Sequence, residues 1–141
     1  MNYLLDTNVI SELIARAPNQ QVVDWIDSLV PETVYLSVIT IGELRKGIEK
    51  LAPSRRKDEL TIWLESDLLL RFIDKVVNIT VDVMLVWGEL TGRLEREGKT
   101  IAAIDSLIAA TVLEGSYTLV TRNETDFQFT GVPLVNPWKL S

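Results

Sequence analysis

Neither cysteine nor histidine occurs anywhere in the 141 residues. Without thiols there are no disulfides, thiolate nucleophiles or Cys-ligated zinc, and without imidazole there are no Ser-His-Asp triads, Cys-His pairs or histidine metal ligands. Any catalysis must therefore use carboxylates, hydroxyls, amides, Lys, Arg or Tyr. No apolar run reaches the roughly 18 residues that a membrane-crossing helix needs. The start, Met1-Asn2-Tyr3-Leu4-Leu5-Asp6, lacks the basic segment and long apolar stretch of a secretory signal. A soluble, cytoplasmic protein without membrane association is expected. Positive charge is also short: 14 Lys and Arg against 20 Asp and Glu leave a net charge of −6. That balance argues against a generic nucleic-acid binder, whose affinity comes mostly from Lys and Arg on phosphates.

What is abundant is aliphatic and acidic. At 47% hydrophobic residues the chain can build a proper core, and its length fits one domain over 1–141. Strand-like runs are predicted at Tyr3 to Leu5, Val34 to Val38, Lys75 to Ile79, Tyr117 to Thr121 and Val132 to Val135. Helical periodicity separates them. Val22, Trp25, Ile26 and Leu29 fall on one face, and Glu59 to Leu70 and Val81 to Leu94 carry a similar stripe. Pro53-Ser54 and Gly98-Lys99 read as breaks between helices. Strands alternating with helices imply right-handed crossovers and a mainly parallel sheet covered on both sides. The expected fold is α/β, a three-layer α/β/α sandwich with about five strands.

Four acids stand where such a fold places ligands, at strand ends and the helix starts that follow them. They are Asp6 after Tyr3-Leu4-Leu5, Glu43 after the run from Val34, Asp105 opening Ile104 to Leu113, and Asp126 after Tyr117 to Val120. Singly, each has a plain explanation. Asp6 can cap the helix that follows it, and Thr40-Ile41-Gly42-Glu43 spells a capping box. Asp126 lies in a polar turn. Asp105 is the least ordinary, because helix-dipole stabilisation of about 0.3 to 1 kcal/mol is small beside the desolvation of a charge among aliphatic neighbours. Together, acids converging without a cation raise one another's pKa. A hard cation relieves this, and ligands made only of oxygen favour Mg²⁺ or Mn²⁺. Glu95, Glu97 and Glu114 read as solvated charge. Six of the 14 basic residues, Arg45, Lys46, Lys50, Arg55, Arg56 and Lys57, follow Glu43 closely. A solvated helix surface is the simpler reading, and a basic face beside an acidic site is the alternative.

At these residues the chain resembles the PIN-domain ribonucleases, specifically the VapC-type toxins of toxin–antitoxin pairs. The resemblance runs through Leu4 to Leu13, Ser37 to Leu44, Ile104 to Thr111, Leu119 to Phe127 and Asn136-Pro137-Trp138. It implies that Asp6, Glu43, Asp105 and Asp126 bind Mg²⁺ or Mn²⁺, with Thr7, Asn8, Thr121 and Asn123 as supporting polar groups. It further implies an endoribonuclease acting through a metal-activated water, a homodimer, an RNA substrate, and a cognate antitoxin whose C-terminal segment enters the site. One departure is visible: many relatives have proline three residues before the third acid, where this chain has Ala102. The four apolar helix residues Ile62, Leu69, Val86 and Leu90 are expected to be mostly core, with some available to a partner.

Other classes fit less well. A haloacid-type phosphatase needs a second acid where Asp6-Thr7-Asn8 has Asn8, and a phosphoacceptor receiver needs an acceptor Asp where Thr80 and Val81 follow Ile79. A DNA-directed carboxylate-metal nuclease, or an inert α/β binding module, is the remaining alternative.

Overall fold

The computed structural model describes residues 1–140. Its strands are β1 (Tyr3–Leu5), β2 (Val34–Ser37), β3 (Val76–Val77), β4 (Thr118–Val120) and β5 (Leu134–Val135). All pair in parallel, in the order β3-β2-β1-β4-β5. The helices are α1 (Thr7–Leu13), α2 (Gln20–Asp27), α3 (Val38–Glu49), α4 (Arg55–Ile62), α5 (Leu69–Arg71), α6 (Val81–Arg96) and α7 (Ala103–Gly115). Among the described residues no helix is long and apolar enough to cross a membrane.

Alternation along the central strands builds two cores. On β1 and β4, Leu5 and Val120 face one side with Val9, Val22, Ile26, Leu44, Leu64 and Phe72, whereas Leu4 and Leu119 face the other with Leu90, Leu94, Ile108, Val112 and Phe127. Successive strand residues point to opposite faces, so both faces must be covered, as the aliphatic strand sequences require. The α/β/α sandwich with a five-stranded parallel sheet is thus as expected.

Several boundaries differ from expectation. The strands predicted at Lys75 to Ile79 and Val132 to Val135 shrink to two residues each, because both lie at sheet edges with one partner apiece. The helix expected over Glu59 to Leu70 begins earlier, at Arg55, where the Ser54 hydroxyl accepts from the Lys57 N–H. It then widens into a π-helical turn over Trp63–Leu68, which buries Leu64 and Leu68. Of the four apolar helix residues expected to be mostly core, Leu90 is buried, Val86 is half-buried, and Ile62 (63%) and Leu69 (37%) are exposed.

The capping box expected at Thr40 to Glu43 does not form. Helix α3 starts at Val38, ahead of the start that a Thr40 cap would set, because Ser37 caps it by accepting from the Ile39 N–H at 2.9 Å. Thr40 and Glu43 are therefore interior helix positions, free to point their side chains elsewhere. Val38 becomes helical for the same reason and shortens β2.

From β1 the chain winds outward through β2 and β3, then returns to the other side of β1 to add β4 and β5. The strand order reverses between β1 and β4, and a crevice opens there beyond the strand ends. Because the Ser37 hydroxyl is buried and anchors α3 beside that crevice, Ser37→Ala is expected to lower unfolding free energy by about 1 kcal/mol. A urea titration unchanged from the wild type would refute this capping assignment.

Candidate active site

Asp6 is the first residue past β1 and sits only 5% exposed at the seam with β4. The register Leu5↔Val120 sets Thr121 beside it. The Asp6 backbone N–H donates to the Val120 carbonyl at 2.9 Å, and the Thr121 hydroxyl donates to Asp6 Oδ2 at 2.9 Å. Asn8 Nδ2 donates to the same oxygen at 3.2 Å, while Oδ1 caps α1 by accepting from the Thr7 N–H at 2.8 Å. Capping and site placement, alternatives in the sequence, thus coexist in one carboxylate. Burial pushes the Asp6 carboxyl above its ordinary range, with Glu43 adding to the rise, against the lowering effect of the Thr121, Thr7 and Asn8 hydrogen bonds.

Glu43 reaches the same place from α3. Its Oε1 accepts from the Thr7 hydroxyl at 2.6 Å, and Thr40 Oγ1 stands 3.1 Å from that hydroxyl. Asp105, in the first turn of α7, is half-buried and receives no hydrogen bond to its carboxylate among the described residues. Its pKa is raised to about 6, first by burial and then by the charges of Asp126, Asp6 and Glu43. Asp105 therefore feels the charge of each of the other three acids. Ala102 caps α7 at φ −62°, the angle proline would impose, so the residue that departs from the family pattern keeps the backbone geometry.

Asp6, Glu43 and Asp105 line one cleft of about 510 Å³, together with Thr7, Asn8 and Asn123. Asp126 is exposed, on a short 3₁₀ turn, and shares a neighbouring cleft with Asp105. Among the described residues none of the four acids forms a salt bridge, and no three acids are close enough to hold one ion between them. The donor set still suits a hard cation: it is all oxygen, negatively charged and uncompensated. At Glu97, by contrast, desolvation pushes the carboxyl up, but Lys99 and Arg93 together outweigh it by charge and hydrogen bonding and hold the pKa below the ordinary range.

Sequence reasoning missed Ser11, Glu12, Arg122 and Trp138, which also line the cleft. Ser11 and Glu12 were detectable, since they follow Asn8 by three and four positions on α1. The basic cluster after Glu43 resolves into two kinds. Arg45 and Arg55 pair with Glu49 and Glu59, Arg56 donates to the Ile14 carbonyl, and Lys57 Nζ caps α3 through the Glu49 and Leu51 carbonyls. Lys46 and Lys50 have no such partner among the described residues, and these two line an apolar groove with Ile39, Ile79, Ile104 and Leu107. That groove and the acidic cleft share Glu43 as a common wall.

The raised Asp105 pKa gives a sign. A carboxyl that titrates at about 6 when folded, against 3.8 ordinarily, binds more protons in the native state between those values. Its favourable contribution is complete below pH 3.8 and is lost as pH rises through about 6. In metal-free buffer, stability is expected to fall over that window. Asp105→Asn should flatten the fall and raise the melting temperature at pH 7, as read by thermal scans across pH.

The sequence matches the PIN domain over residues 3–131. It is 41% identical over 135 residues to the toxin FitB of Neisseria gonorrhoeae, covering 96% of this chain and 97% of that protein. It is 35% identical over 136 residues to a VapC ribonuclease of Sinorhizobium fredii, covering 96% and 97%. The fold superposes on the crystal structure of FitAcB from N. gonorrhoeae with a TM-score of 0.93 at 40% identity, covering 98% of this chain and 99% of that one. On the strength of a match across nearly its whole length, this chain belongs to the PIN domain family.

Proposed function

We propose that residues 1–141 form a single nuclease domain, a metal-dependent endoribonuclease acting as the toxin of a toxin–antitoxin pair, with Asp6, Glu43, Asp105 and Asp126 as its Mg²⁺ or Mn²⁺ ligands. The observation that carries this reading is electrostatic: Asp6, Glu43 and Asp105, from three separate segments, line one cleft without a salt-bridge partner among the described residues, and Asp126 shares a neighbouring cleft with Asp105. Dependence on a metal is usual for PIN-domain ribonucleases. When bound, a divalent ion would lower the pKa of a water and offset charge on the phosphate.

The protein's own groups divide the remaining work. Asp6, locked by Thr121 and Asn8, and Asp105, whose carboxylate receives no hydrogen bond among the described residues, are the principal ligands. The Thr7 hydroxyl fixes Glu43 through Oε1, leaving Oε2 to meet the ion or orient water. Asp126, exposed on the far side of Asp105, completes the set. Lys46 and Lys50, in the groove beyond Glu43, supply the cations that a protein of net charge −6 otherwise offers sparingly to RNA. The named relatives include a toxin and a VapC ribonuclease, and the solved neighbours include FitAB and VapBC complexes. A cognate antitoxin and a second copy of this chain are the partners proposed. The exposed apolar residues Val81 and Leu85 on α6, and Leu70 and Ile73 near α5, provide surface for them.

Incubating the protein with RNA and Mg²⁺ tests the proposal. Wild type is expected to leave 5′-phosphate and 3′-hydroxyl ends, because water is the nucleophile. Asp6→Asn and Asp105→Asn should each reduce cleavage at least about 100-fold while remaining folded, a loss of at least about 2.7 kcal/mol in transition-state stabilisation. Mn²⁺ should raise the wild-type melting temperature. Products ending in 2′,3′-cyclic phosphate would overturn the mechanism.

A further inference from the structure

Among the described residues lining the acidic cleft, Arg122 is the only cation. A guanidinium beside several carboxylates would ordinarily fold onto them, yet Arg122 forms no salt bridge among the described residues. Its surroundings explain why. The guanidinium carbon lies 5.4 Å from the ring centroid of Trp138, in cation–π contact. The indole is itself fixed, donating from Nε1 to Glu12 Oε1 at 3.0 Å, while its backbone N–H donates to Asn136 Oδ1 at 2.9 Å. The Arg122 main chain is held as well: its N–H donates to Asn8 Oδ1 at 3.1 Å, and Asn136 Nδ2 donates to its carbonyl at 3.4 Å. Asn8 in turn grips Asp6, so a short chain of hydrogen bonds ties the arginine's backbone to the buried acid.

This arrangement keeps a positive charge next to the acids without spending it on them. What the cleft must admit, on the ribonuclease reading above, is a phosphodiester whose own negative charge is repelled by the same carboxylates. A planar guanidinium with paired N–H donors matches two phosphate oxygens and, unlike Lys, also stacks on an indole.

We infer that Arg122 is the phosphate clamp of this site: its guanidinium binds a backbone phosphate of the RNA at the mouth of the cleft, and Trp138 and Glu12 are positioning residues that hold it off the acids. The assignment rests on the proposed ribonuclease function. It adds a substrate-binding residue outside the acidic quartet and gives the Asn136-Pro137-Trp138 motif a role.

The test compares full-length wild type, Arg122→Ala, Arg122→Lys, Trp138→Phe and, as a control, Arg55→Ala, which removes an exposed arginine lining neither cleft. Cleavage of a single-stranded oligoribonucleotide is followed with Mn²⁺ over a range of salt, and the Mn²⁺-induced melting shift is measured for each protein. Arg122→Ala is expected to raise KM about tenfold with kcat within about threefold, the loss of one charge-assisted contact. The slope of log affinity against log salt should shrink by about 0.7, one phosphate contact on a single strand. Arg122→Lys should restore the salt slope but only part of KM. Trp138→Phe, which keeps a ring and loses the Glu12 anchor, should fall between wild type and Arg122→Ala. The Mn²⁺ shift should survive in all variants, and Arg55→Ala should match wild type. If wild type cleaves and Arg122→Ala keeps its KM and salt slope, or loses only kcat, the clamp assignment fails while the nuclease reading stands. The clamp fails in the same way if Arg122→Ala loses only its binding of a cognate antitoxin, since the guanidinium would then serve a protein carboxylate. If wild type does not cleave, the nuclease reading fails and takes this assignment with it.

Discussion

The hydrogen bond from Thr121 to Asp6, across the seam between β1 and β4, is the contact on which the rest of the site depends. It adds a third donor to a nearly buried carboxylate already held by Asn8 and the Thr7 N–H, and a buried acid short of donors is disfavoured. The same hydroxyl accepts from Asn8 Nδ2 and from the Asn123 N–H, so the loop after β4 is drawn down onto the start of α1. Once that loop is in place, Asn123 and Arg122 face the cleft, and the turn that carries Asp126 follows directly.

The stability of the protein and the chemistry of the cleft pull against each other. Hydrophobic burial on both faces of the sheet brings α3 and α7 in close, and with them Glu43 and Asp105. Each step of that packing increases repulsion among the acids, as the raised Asp105 pKa records. Thr7, Asn8 and Thr121 relieve part of it by offering hydrogen bonds to the charged forms of Asp6 and Glu43. The remainder is left at Asp105, which has no such relief among the described residues. On the proposed function, that remaining cost is what a bound cation would relieve.

Much of this was legible in the sequence because it follows from topology. Aliphatic strand runs with helical stripes between them imply a parallel sheet, and in such sheets acids at strand ends share an edge, as Asp6 and the Thr121 to Asp126 segment do. The details set by local competition were not legible. Thr40 to Glu43 reads as a capping box, but Ser37 wins the cap and releases Glu43 to the cleft. The edge strands β3 and β5 are shorter than their apolar runs because pairing with a single neighbour ends before the run does. The stack of Arg122 on Trp138 joins two loops sixteen positions apart in sequence, and no periodic pattern announces such a contact.

The register of β1 against β4 has a consequence beyond placing one acid. A slip by a single residue would set either Val120 or Arg122 opposite Asp6 in place of Thr121. The first neighbour has no hydroxyl to donate, and the second would quench the carboxylate's charge. The pairing that aligns the two central strands thus also decides whether the buried carboxylate finds its hydroxyl donor.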